Sequence, residues 1–245
     1  MSSTAGALWR QLRFERRQFW RNPSAAFFNF LLPLLLLVLV GSVYADDPED
    51  LDILIPGIAG MAVMATTFTA LAFSVTFLRE QGVLKRILGT PLPAPVYLGG
   101  LIGSAVVNAA LQVALIVAIG NLAYGVSLPE DPFALVVFTA LGVVAFASLG
   151  IAFSQAIPNF DAAAGYVNVV FLPVIFVSGV FYSTESLPGV LEAIAEALPL
   201  KHVIDGLHGA IVTGAGVADN AVALAVVTGW GAVGIALATR YFRWE

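Results

Sequence analysis

The residues able to do chemistry are few. Among 245 residues there are two histidines, His202 and His208, and no cysteine, which removes thiolate nucleophiles, cysteine metal sites and disulfides. Neither histidine sits in an HExxH frame, and nowhere does the chain read GxxxxGK[ST], the glycine loop that cradles nucleotide phosphates. Metal, hydrolytic and nucleotide chemistry therefore have no visible site. Proton relays and ion-coupled sites need ionisable groups at membrane depth, yet the long apolar runs contain no Asp, Glu, Lys, Arg or His. That argues against a proton-driven pump or secondary transporter. If the protein moves something uphill, the energy source is another polypeptide. The basic residues flank apolar runs and outline no exposed groove, so nucleic acid is not an expected partner.

The elements that must position these residues are membrane spans. Hydrophobic residues make up 59% of the chain and charged residues 11%, against about 25% charged in soluble domains. Runs long enough to cross a hydrocarbon core of about 30 Å lie near 24–45, 53–78, 96–124, 133–157, 162–182 and 220–239. Backbone polar groups in lipid must be satisfied internally, so such runs are helices. The expected class is all-α: a polytopic membrane protein with six transmembrane helices in one domain, 1–245. The first run exceeds the 7–15 residues typical of a signal-peptide core, so it is expected to be a retained span. All basic residues except Lys201 fall at the two termini and in the 79–95 loop, while acidic residues dominate the other side. The positive-inside rule then predicts a multi-pass protein of the cell (plasma or inner) membrane with both termini cytoplasmic.

Two shorter stretches are amphipathic. Over 5–22, Leu8, Leu12 and Phe19 share a helical face with Trp9 and Trp20 at its margin, and Arg10, Arg13, Arg17 and Arg21 gather on an adjoining arc. This predicts an interfacial helix, either a basic anchor or a docking elbow for a partner through Trp9, Arg10, Arg13 and Arg17. Over 186–213, two helical repeats separated by Pro199 are each too short to cross, which predicts a pair of short outer re-entrant helices, with surface helices lying flat as the alternative. There Lys201 and Asp205 have the spacing of an exposed ion pair, on a stripe shared with His208.

Inside the spans the polar residues are mild. Thr66, Thr69, Phe73 and Thr76 share one face, Ser104, Asn108 and Gln112 another, and Asn168, Phe171, Ile175, Ser178 and Tyr182 a third. Such stripes, like Gly99-x-x-x-Gly103, serve helix packing. Thr66, Thr69, Phe73, Asn168, Phe171 and Tyr182 are also candidates to line a pathway for an amphiphile, whereas Asn108 and Gln112 read as interhelical glue.

The 79–93 loop carries the most specific pattern: Glu80, Gly82, Leu84, Arg86, Ile87, Thr90, Pro91 and Leu92, in that order. With the Phe171–Tyr182 segment, the following Leu187-Pro188 and Leu198-Pro199-Leu200, it resembles the permeases of ABC-2 type transporters. The compact outer loops look more like the daunorubicin-resistance type than the polysaccharide-export type. The resemblance implies a half-transporter that is not itself an enzyme. A second copy would complete it as a homodimer, and two separate ATP-binding-cassette ATPases would bind ATP and Mg, with no cofactor in this chain. Residues 79–90 would be the coupling helix, contacting the ATPase through Glu80, Gly82, Leu84, Arg86, Ile87, Thr90 and Pro91. The substrate would be an amphiphilic drug, antibiotic, lipid or lipid-linked glycan. Two other classes stay open: a passive channel or facilitator, and an accessory scaffold whose basic helix binds anionic lipid.

Overall fold

The computed structural model describes residues 4–21, 23–27, 31–45, 47–89 and 94–242. The chain is an all-α polytopic membrane protein, and the described residues contain no strand. The amphipathic start forms α1 (Thr4–Arg21). The first expected span is represented by a turn at Pro23–Ala26 and by α2 (Leu32–Val43); residues 28–30 of that span lie outside the described residues. The twelve residues of α2 rise about 18 Å at 1.5 Å each. Among the described residues, five helices are long and apolar enough to cross a membrane: α3 (Pro48–Glu80), then, after the short α4 (Val83–Leu88), α5 (Ala94–Tyr124), α6 (Pro132–Ser154), α7 (Phe160–Val177) and, last among them, α10 (Ala221–Tyr241). Between α7 and α10 lie α8 (Gly189–Ala197) and α9 (Pro199–His208), the latter continued by a π turn at Gly209–Thr213.

The spine is α3. Every residue from 54 to 68 is buried, and α2, α5, α6 and α9 all pack on it. Close approach is built into Gly57, where a Cβ would collide with the carbonyl oxygen of Val180. Mid-helix the hydrogen bonding widens to a π segment, Ala65–Thr69. Its hydroxyls bond back to the preceding turn, Thr66 Oγ1 to Ala62 O at 2.8 Å and Thr67 Oγ1 to Val63 O at 2.6 Å, a pattern that loosens and bends helices. Pattern reading had no signal for this interruption, because the apolar run continues through it.

The expected re-entrant pair divides unequally. Only Ala195 of α8 is buried, while α9 buries Leu200, Val203, Ile204 and Leu207 against α3, α6 and α10. The Lys201–Asp205 pair (2.8 Å) is joined by Glu196 (2.9 Å from Lys201). Burial disfavours the Lys201 ammonium, but hydrogen bonds to Asp205 and Glu196 outweigh it and hold its pKa above the usual lysine value. His202, absent from the expected stripe, is buried with Nε2 2.8 Å from the Glu196 carbonyl, and His208 is half-buried. The stripe is thus half-buried, with the expected ion pair present and its carboxylates open to solvent. By contrast, α7 leaves Tyr166, Val169, Leu172 and Phe176 exposed, and α10 leaves Val222, Val233, Ile235 and Leu237 exposed.

Candidate functional site

The end of the bundle that holds α1 and α4 carries the site. Here the expected helix over 79–90 takes a different form. Arg79 and Glu80 are the last two residues of α3, Gly82 turns the chain with φ +65°, and the helix that follows is only Val83–Leu88. An L side chain resists that left-handed backbone, so the glycine sets the break. Nothing lies within 4 Å of where a Cβ would stand, so the requirement at Gly82 is conformational and not one of space. Thr90 and Pro91 lie outside the described residues.

Arg79 and Glu80 face two opposite helix ends. Arg79 Nη1 donates to Ser154 O at 3.0 Å and Nη2 to Ile157 O at 2.5 Å, so a guanidinium caps the carbonyl end of α6. Glu80 Oε2 accepts from the Phe160 N–H at 2.5 Å, placing a carboxylate at the amide end of α7. Each charge complements the partial charge of the terminus it meets. Asn159 completes the α7 start by accepting from Ala162 N at 2.9 Å. The Phe160 ring lies 5.2 Å from that of Phe77 and 6.2 Å from that of Phe73, centroid to centroid. The end of α3 is thereby tied to the 155–159 turn from both sides.

The short helix is anchored at the same place. Leu84 is fully buried, in a cluster with Leu71, Val75, Leu78, Tyr97, Leu101 and Ile151, against which Val83 and Ile87 also pack. Arg86 Nη2 donates to Gln81 O at 3.0 Å. Leu84 and Ile87 therefore face inward, and Glu80, Gln81, Lys85, Arg86 and Gly89 form the exposed side of the loop.

The elbow helix does more than lie flat. Its Leu8, Gln11 and Leu12 seat on Gly99, Gly100 and Gly103 of α5, where a Cβ on Gly103 would stand 2.6 Å from Leu12 Cδ1. The Gly99-x-x-x-Gly103 groove thus receives α1. Trp9, Arg10, Arg13 and Arg17 are exposed on the opposite side. Glu15, which carried no expectation, is buried on the docked face. Its only sequence signal was being the one acidic residue among five arginines.

The candidate pathway residues have different surroundings. Thr66 lines a small polar space shared with α1 and α5, Thr69 Oγ1 is buried without a hydrogen-bond partner, and Phe73 faces Phe160. Asn168 is exposed, Phe171 packs half-buried on the main core, and the Tyr182 hydroxyl donates to Phe176 O. Asn108 does not bond as interhelical glue through its carbonyl, since Oδ1 is buried and without a partner. A larger apolar cavity of about 640 Å³, unforeseen in the pattern, opens between α3, α6, α7 and α10 and includes Phe68, Phe146, Val174 and Trp230.

Residues 6–212 match the family model for ABC-2 type transporters. The chain belongs to the ABC-2 type transporter family. Over 99% of its length it is 29% identical to the daunorubicin resistance ABC transporter permease protein DrrB1 of Streptomyces coeruleorubidus, covering 87% of that protein. It is 30% identical to nodulation protein J of Rhizobium meliloti over 60% of this chain and 56% of that one. To the inner membrane transport permease YadH of Escherichia coli it is 26% identical over 63% of this chain and 60% of that one. The resemblance read from the 79–93 loop is correct at the level of family. This ABC-2 chain is the transmembrane component of an ABC transporter, a multi-pass subunit that is not itself catalytic. ABC-2 permeases work with ATP-binding-cassette ATPase partners.

Proposed function

We propose that this ABC-2 chain is the transport subunit of an ATP-driven exporter, working as a pair of permeases with two separate ATPases that bind the ATP and Mg. The substrate class is an amphiphile taken from the cytoplasm or inner leaflet, in keeping with the drug-resistance relative that aligns along nearly the whole chain. On this reading the basic end faces the cytoplasm. A partner ATPase meets the exposed side of the 80–89 loop and the Trp9, Arg10, Arg13 and Arg17 face of α1.

The observation that carries the reading is the joint made by Arg79 and Glu80. A push on α4 reaches α3 across the two-residue Gln81-Gly82 turn, and α3 is bonded to the end of α6 and the start of α7. One contact at the basic end therefore moves three spans together. A passive channel needs no such tie between an exposed loop and several helix ends.

The test is co-expression with a candidate ATP-binding-cassette ATPase from the same genome, purification through a tag on the permease, and transport of amphiphilic dyes into inverted vesicles. Retention of the ATPase and ATP-dependent uptake are expected. Dye flux that is indifferent to ATP and to the presence of the ATPase would return the facilitator reading.

A further inference from the structure

Between α1, α3 and α5 lies a cavity of about 130 Å³ whose lining includes Glu15, Phe19, Thr66, Ser74, Ser104 and Asn108. It holds a buried carboxyl group. Glu15 is 9% exposed and accepts a hydrogen bond from Gln11 Nε2 at 2.6 Å. Burial raises its pKa to about 7, a rise that the Gln11 bond opposes. No cation of the described residues pairs with it; the neighbouring Arg13, Arg16 and Arg17 are exposed on the other faces of α1. Asn108, 4% exposed, lines the same space and brings a second acceptor, for its Oδ1 is buried with no hydrogen-bond partner. Thr66 spends its proton on Ala62 O and Val63 O, which leaves its oxygen as an acceptor too. A buried polar atom left unpaired costs about 1–3 kcal/mol, and here one such atom belongs to a residue that lines the same hollow as Glu15 and Thr66.

A group with several N–H donors, positive charge and little bulk satisfies this set. A primary ammonium has three donors and no acceptor, and an aromatic ring at the wall adds attraction for a cation. We propose that this cavity binds the ammonium head of a cationic amphiphile, with Glu15 as counter-ion and Asn108 Oδ1 and Thr66 Oγ1 as further acceptors. The exposed Gln18 and the half-exposed Phe19 and Ser74 form its mouth, beside which the alkyl part of the ligand stays in lipid. The site stands on residues separate from the Arg79–Glu80 joint, and binding is measured without ATP or ATPase, so its failure leaves the proposed function untouched.

The test uses the full chain in nanodiscs of phosphatidylcholine and phosphatidylglycerol, with radiolabelled dodecylammonium as probe and dodecanol as the uncharged competitor. Saturable binding is expected at about pH 8.5 and roughly thirtyfold weaker binding at about pH 5.5, the loss that follows when a carboxylate with pKa about 7 must be ionised to bind. The probe stays cationic across this range, as does arginine, and the Tyr97 phenol of α5, which faces Glu15, stays neutral. Lining residues of α3 carry no titratable group. Glu15→Gln is expected to weaken binding at about pH 8.5 to the acid level and to remove the pH dependence, and Asn108→Leu to weaken binding at both pH values. If phosphatidylethanolamine in the disc suppresses probe binding, lipid is the natural source of the ammonium; if it does not, a soluble amine is. Either result supports the site. PH-independent binding by the unaltered chain, equal competition by dodecanol, or the absence of saturable binding would overturn it.

Discussion

Replacing Glu80 with glutamine keeps the length of the side chain and an oxygen for the Phe160 N–H, and removes only the charge. Hydrogen bonds to charged groups contribute about 1.5–3 kcal/mol and neutral ones about 0.5–1.5 kcal/mol. A negative charge at a helix N-terminus adds about 0.3–1 kcal/mol. Glu80 is exposed, and solvent screening keeps such contributions near their lower limits, so the expected loss is about 1 kcal/mol. That is roughly a fivefold shift in the equilibrium between the bound and released α7 start. Hydrogen exchange followed by mass spectrometry reads it directly: amides near 160–162 are expected to exchange about fivefold faster in Glu80→Gln. Exchange in α5, away from the joint, should not change. In the complex with its ATPase, the same variant is expected to keep ATP hydrolysis and to transport less per ATP consumed, because the push from the loop reaches α7 less often. Unchanged exchange together with unchanged coupling would show the bond to be idle. Unchanged exchange with loss of the ATPase from the purified complex would show instead that Glu80 acts on the partner.

Gly82→Ala is expected to destabilise the loop by roughly 1–2 kcal/mol from the left-handed backbone alone, with Gly82→Asn milder because asparagine tolerates that region; thermal unfolding of the purified variants orders the two. Gly57→Ala, whose Cβ would strike the Val180 backbone, is expected to cost about 3 kcal/mol or more, since backbone cannot be moved aside as a rotamer can. Its readout is loss of the monodisperse detergent-solubilised protein. For orientation, a membrane-impermeant thiol reagent applied to intact cells is expected to label Ser186→Cys and to spare Gly89→Cys. The opposite pattern would place the loop outside and end the coupling argument.

Hydropathy alone was sufficient for the all-α membrane class, and five of the six expected runs coincide with long helices, while the run at 24–45 is described only as a turn and the twelve-residue α2. Desolvation acts on each residue locally, so a run of apolar residues reports its own environment wherever it packs. The basic termini and loop, the two short amphipathic stretches and the order of residues in the 79–93 loop were legible for the same reason, and that order led to the family. The partners of those residues were not legible. Glu80 meets Phe160 and Arg79 meets Ser154 and Ile157 across more than seventy residues of sequence, and such pairings exist only once α3, α6 and α7 have packed. The family resemblance implied a docking role for Leu84 and Ile87, yet packing turned them inward and left the polar residues of the loop outside. Glu15 shows the limit most plainly. On the helical wheel it was one acid among arginines on an interfacial helix, and the glycine groove of α5 alone decided that this face would be buried, carrying a carboxyl group into a cavity beside Asn108. Helical periodicity states which residues share a face; which faces meet depends on shape and volume summed over distant segments, and that information appears only in the folded chain.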